Sequence, residues 1–134
     1  NVEFCGHVSL ERLRCMMARC KALIFPGEED FGIVPVEVMA SGRPIIAYGR
    51  GGATETVVDR RTGLLFNDQS VDGLVAAVQE FEREKLDKLD PVSLVRHARK
   101  FDEDNFAAGV QGCLAQMGVT SQNHPLHLNV GARA

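Results

Sequence analysis

The stretch FPGEEDFGIVPVEVMASG, Phe25 to Gly42, decides how the rest of the chain is read. An apolar run from Ala22 climbs to Phe25 and stops at the Pro26-Gly27 break, the mark of a strand ending in a turn. Three acids follow (Glu28, Glu29 and Asp30), and then Phe31-Gly32. Pro35 is expected at the first position of a helix, where its locked φ suits and its missing N–H costs nothing. Val36, Met39 and Ala40 recur at helical spacing and lay one apolar stripe along that helix. Gly42 is its stop, and Pro44 keeps it from resuming. Strand, loop and helix start are compressed into a few residues.

This layout has a chemical consequence. The unpaired N–H groups of a first helical turn, together with the positive end of the helix dipole, form a site for a phosphate or another anion. Gly32 is expected to let a ligand approach the backbone closely, since no Cβ stands in the way. Glu29 lies before the turn and Glu37 inside it, in the first turn of the expected helix, so two carboxylates bracket the turn. Carboxylates repel phosphate, which directs them to hydroxyl groups as hydrogen-bond acceptors. A ligand with phosphate in its middle and polyols at both ends fits, and a nucleotide-sugar is such a ligand.

Glu29 to Glu37 resembles the E-x7-E motif of the retaining glycosyltransferases of family 4, the group-1 family with the GT-B fold. The wording GIVPVEVMASGRPIIAYGRGGATETV, Gly32 to Val57, is similar to that family's signature almost residue for residue. The resemblance extends from Val2 to Gly118. It implies that Glu29 holds hydroxyls of the donor sugar and orients it, the nearest thing here to a catalytic residue. It implies that Glu37 holds the ribose, and that amides at Phe31, Gly32, Ile33 and Val34 hold the diphosphate. By a looser match, His7 and Val8 are placed beside the nucleotide base. The implied reaction is transfer of a sugar from a nucleotide-diphosphate sugar, with retention of anomeric configuration, to a glycan or lipid-linked acceptor. The implied donor is GDP-mannose, with no separate cofactor and no metal, because helix amides and cations stabilise the developing charge.

The chain has 134 residues, enough for one domain with a sizeable core. Apolar residues make up 45% and the net charge is −3, with no basic run, which argues against a nucleic-acid surface. No apolar run approaches the ~20 residues of a membrane span, and no secretory signal is read. Cys5, Cys15, Cys20 and Cys113 have no spacing typical of a disulfide scaffold and are expected to be reduced thiols of a cytoplasmic protein. The resemblance adds that a full-length enzyme can associate peripherally with the inner face of a membrane.

In chain order, Val2 to Cys5 is expected to be a strand, followed by a helix capped by Ser9 with Leu10, Leu13, Met17 and Cys20 on one face. Ala22 to Phe25 is the next strand. Ile45 to Tyr48 is too uniformly apolar to have a wet face, as buried parallel strands are. Gly49 to Gly52 is a turn before a short helix around Thr54 to Val58, and Gly63 to Phe66 is a fourth strand. A helix started by Asp68 or Ser70 turns Val71, Leu74, Val75 and Val78 inward. Glu82 to Asp90 reads as a charged face or loop. Asp90-Pro91 starts a helix bearing Leu94, Val95, Ala98 and Phe101, which Asp102 to Asn105 interrupts. Phe106, Val110, Cys113, Leu114 and Met117 make a further amphipathic helix. From 119 onward a poorly ordered tail is expected.

Alternation of strand and helix predicts α/β with a Rossmann-like parallel sheet flanked by helices and right-handed crossovers. Ligands bind such sheets at the carboxyl ends of the strands, where the loops after Cys5, Phe25 and Tyr48 are expected. The resemblance makes residues 1–118 part of a C-terminal GT-B half-domain. It also implies what this stretch does not contain: the acceptor-binding domain, and an Arg and a Lys that neutralise the diphosphate. Two other readings stay open. One is another GT-B activity, such as an epimerase or phosphorylase; the other is a non-catalytic nucleotide-binding module. Cys5, His7, Cys15 and Cys20 match no common zinc spacing, and His124 and His127 form only a tail pair.

Overall fold

The computed structural model describes residues 1–119. The chain divides into two compact units, Asn1–Lys100 and one that begins at Phe101. The first unit contains a three-stranded sheet: β1 (Leu23–Phe25), β2 (Ile45–Tyr48) and β3 (Gly63–Phe66). All pairs are parallel in the order β1-β2-β3, with Phe25 opposite Ala47 and Tyr48 opposite Phe66. Of the helices α1 (Leu10–Arg19), α2 (Ile33–Ala40), α3 (Ala53–Thr56), α4 (Val71–Arg83) and α5 (Pro91–Ala98), α2 and α3 make the crossovers between strands, while α1 precedes β1 and α4 and α5 follow β3.

Every residue of β2 is buried, as its uniform apolar sequence requires. Side chains alternate across a strand, and β2 feeds two separate cores. Ile45 and Ala47 join Val38, Met39, Ala53, Val57 and Ala98 on one face. Ile46 and Tyr48 join Leu64, Phe66, Ala77, Phe81 and Leu86 on the other. So α2 and α5, which pack on each other, cover one face while α4 covers the opposite one. This is the helix–sheet–helix layering expected from the sequence.

The strand expected at Val2 to Cys5 does not form. A strand exists through its ladder partners, and these residues pair with nothing among the described residues; Phe4 is left 94% exposed. Among the described residues the four expected strands therefore reduce to three. Helix α1 begins after Ser9 as expected, with Arg12 N–H donating to Ser9 Oγ at 3.3 Å. Met17 and Cys20 reach the core, but Leu10 and Leu13 stay exposed.

Helix α4 is capped by Ser70, whose Oγ accepts from Gly73 N–H at 3.0 Å. Its inward face is rotated from the expected one: Ala77 and Phe81 are buried, Leu74 and Val78 pack beside them, and Val71 is 80% exposed. A sequence apolar on nearly all sides from Leu74 to Val78 leaves the choice of face to packing. The charged stretch after it contains a 3₁₀ turn, Leu86–Lys88, whose Leu86 is buried. Helix α5 starts at Pro91 with the Asp90 carboxylate accepting from Val92 and Ser93 N–H.

In the second unit, α6 runs from Glu103 to Gln116, starting earlier than the expected stripe because Asp102 caps it through Asn105 N–H at 2.9 Å. The acids read as an interruption are its cap and first turn. None of its residues is buried. The expectation for the tail falls, Val119 apart, outside the described residues.

Candidate functional site at the carboxyl end of the sheet

Three loops meet where the strands end. The loop after β1 carries Glu28 to Phe31, the loop after β2 carries Arg50 to Gly52, and the loop after β3 carries Gln69. Cross-links fix them to one another. Gly52 N–H donates to the Glu29 carbonyl at 2.7 Å, and Gly49 N–H to the Phe66 carbonyl at 2.8 Å. Gln69 Nε2 donates to the Pro26 carbonyl at 2.9 Å.

Gly52 is packed so tightly that a Cβ there would collide with Phe31 Cα and the Asp30 carbonyl oxygen. Gly51 lies in the same way against the Glu29 carbonyl. The hydroxyls of Thr54 and Thr56 donate to the Gly51 and Gly52 carbonyls at 2.8 and 3.1 Å, which stiffens the turn. From the sequence Gly51-Gly52 reads as a turn; in the fold it is the platform on which the acidic loop rests. The adjacent glycines were the available signal, but not the identity of the backbone they approach.

Helix α2 begins two residues earlier than expected, at Ile33, with Gly32 as its N-cap. Pro35 is thus the third helical residue, still within the turn whose N–H groups lack intrahelical acceptors. Gly32 has φ +81° and ψ 70°, a left-handed conformation that strains any other residue. Its missing side chain would point at Phe25 and Pro35 in ordinary contact, and the residue is buried. The glycine therefore serves the backbone turn, and the expectation that it clears space for a ligand is corrected. Beyond it the helix start faces solvent, with Ile33 65% and Phe31 41% exposed. No acceptor among the described residues takes the N–H of Gly32, Ile33 or Val34.

Glu29 is exposed on the loop, and Glu37 is exposed in the second turn of α2 rather than the first as expected, because the helix already begins at Ile33. The first turn of α2 contains no acid, so Glu37 is not placed as an ordinary helix-dipole carboxylate. His7 is exposed and Val8 half-buried in the segment leading to Ser9; with no strand before them, the loop position expected for them does not exist as such. Among the described residues no group of three or more His, Cys, Asp or Glu is placed to hold a metal. Cys20 is half-buried against the core, its Sγ–H directed at the Met17 carbonyl. No helix among the described residues is long and apolar enough to cross a membrane.

Residues 1–101 match the family model described as glycosyl transferases group 1. The chain belongs to that family.

Relatives of this group 1 chain include a glycogen synthase of Mycobacterium tuberculosis, 36% identical over 98 residues that cover 72% of the chain and 22% of the synthase. A GDP-mannose-dependent alpha-(1-6)-phosphatidylinositol monomannoside mannosyltransferase of the same species is 36% identical over 88 residues, covering 60% of the chain and 23% of that protein. Among solved structures, sucrose-phosphate synthase of Thermosynechococcus elongatus superposes with a TM-score of 0.73 at 26% identity. The match covers 87% of the chain and 30% of that structure. The chain thus spans under a third of each relative's length.

Proposed function

We propose that residues 1–118 form part of the donor-binding half of a retaining glycosyltransferase, which transfers a sugar from a nucleotide-diphosphate sugar to a glycan or lipid-linked acceptor. The observation that carries this reading is the start of α2, where the Gly32, Ile33 and Val34 amides have no protein acceptor beside an exposed helix end. With the Phe31 amide, they would hold the diphosphate. The anomeric C–O bond breaks, the nucleoside diphosphate leaves with developing negative charge on its phosphate oxygen, and the acceptor hydroxyl attacks on the same face, passing its proton to that departing oxygen. Amides aimed at that charge stabilise it most in the transition state. Each hydrogen bond to a charged group is worth about 1.5–3 kcal/mol, so a few such donors matter on the scale of a reaction barrier.

Glu29 would orient the donor sugar through its hydroxyls, and Glu37 would hold the ribose. Neither is asked to move a proton. His7 and Val8 are proposed beside the base, more loosely than the others. GDP-mannose is the proposed donor, in line with the GDP-mannose dependence of the related mycobacterial mannosyltransferase. No metal or cofactor is invoked. The acceptor-binding half would come from elsewhere in the full-length enzyme, so this stretch alone should transfer no sugar.

The test is calorimetric titration of GDP into the 134-residue chain. Binding that is lost in Gly32→Val and kept in Cys15→Ala is expected. No binding, or equal binding by both variants, would overturn the assignment.

A further inference from the structure

Asp59-Arg60-Arg61 forms the turn before β3, and its two arginines have different surroundings. Arg60 has φ +56°, and its guanidinium is held by Asp59, Glu80 and Glu84. Arg61 shares none of these acids. Together with Thr62, Ser93, Arg96, His97 and Lys100 it lines a cavity of about 240 Å³ between that turn and the end of α5. Arg61, Arg96 and Lys100 have no carboxylate partner among the described residues.

The carboxyl end of a helix attracts cations, which accounts for Arg96 on the last turn of α5. It does not account for Arg61, which a separate turn brings to the same cavity. Like charges gathered around one space repel, and an anion between them removes that cost. The hydroxyls are already engaged as donors or acceptors: Thr62 Oγ1 accepts from Val58 N–H at 2.8 Å, and Ser93 Oγ donates to the Asp90 carbonyl at 2.7 Å. Recognition therefore falls to charge. Guanidinium forks match phosphate oxygens in pairs, and three cations suit a dianion. The volume is below the ~300 Å³ at which pockets for drug-sized ligands begin, so a small phosphate ester fits better than a nucleotide. Thr62 precedes β3, which puts the cavity at the amino end of the sheet, opposite the start of α2.

We propose that this cavity is a second anion site that binds a phosphate monoester through Arg61, Arg96 and Lys100, apart from the donor site.

The test is an amide-shift titration of the ¹⁵N-labelled chain with glycerol 3-phosphate at constant ionic strength, beside flotation with vesicles of phosphatidylcholine with or without phosphatidic acid. Saturable shifts at Arg61, Thr62, Ser93 and His97 are expected, weakened more than about tenfold when Arg61→Glu and Arg96→Glu are combined. The milder pair Arg61→Gln with Arg96→Gln serves if the first fails to fold, and Lys21→Ala should leave binding unchanged. Saturation by glycerol 3-phosphate supports a soluble ligand; binding only to phosphatidic-acid vesicles, lost in the same variants, supports a lipid headgroup as the monoester. No saturable response in either arm, or one that survives both paired variants, overturns the proposal.

Discussion

Gly52 donates its backbone N–H to the Glu29 carbonyl at 2.7 Å, and its Cα faces the Phe31 backbone at a separation that leaves no room for a side chain. The loop that carries the proposed donor contacts is therefore shaped from behind by the turn after β2. Gly52→Ala is expected to push residues 29–31 outward and destabilise the fold by about 1–3 kcal/mol, the usual range for forced overpacking. GDP binding should weaken with it. Urea unfolding and calorimetry on the same sample check both effects.

Glu29 and Glu37 should separate in their effects. In a full-length enzyme, Glu29→Ala is expected to cut turnover while leaving affinity for free GDP unchanged, because GDP contains no donor sugar. Glu37→Ala should weaken GDP itself by about tenfold or more, the loss of a charge-assisted hydrogen bond. Paired kinetics and nucleotide titrations distinguish the two. Equal losses in both assays for Glu29→Ala would show that its role is misassigned.

Thr62 is 4% exposed, and its hydroxyl accepts from the Val58 N–H at 2.8 Å. Thr62→Val keeps the shape and removes the acceptor, so a loss of about 1–3 kcal/mol is expected from the orphaned donor. Leu94, with no exposed surface on α5, should cost about 2–5 kcal/mol as Leu94→Ala. Denaturant midpoints measured at constant slope check both values.

Burial pushes the Cys20 thiol above its ordinary value of 9.0, with Arg43 pulling the other way. Between the ordinary and the raised value the folded chain binds more protons than the unfolded one. Stability from this group is thus fully present below about pH 9 and is lost as the pH rises through the folded value. Cys20→Ala should flatten that alkaline decline in thermal melts. Exposed Cys15 should react with a thiol reagent faster than Cys20 at neutral pH.

How far the sequence carried the reading depended on whether the deciding contact was local. Ile45 to Tyr48 announced a strand buried on both faces, because four successive apolar residues leave no wet side. The caps at Ser9, Ser70 and Asp90 were legible for the same reason, since a cap and its N–H lie within three residues. Val2 to Cys5 has strand-like residues but no partner, and propensity cannot supply one. Around Val75 the apolar pattern fits several helix faces, and only packing under Phe81 selects one. The helix start at Gly32 was readable as a glycine, though its φ, not ligand access, explains it. Gly52 against Phe31, and Arg61 beside Arg96, join residues far apart in the chain, where no spacing rule reaches.

In the proposed function, the amides opening α2 hold a diphosphate. The most direct measurement is an amide-resolved NMR titration of the ¹⁵N-labelled chain with GDP. Gly32, Ile33 and Val34 are expected to shift together and saturate, with Phe31 following. Saturation confined to other residues, with those amides unmoved, would contradict that role.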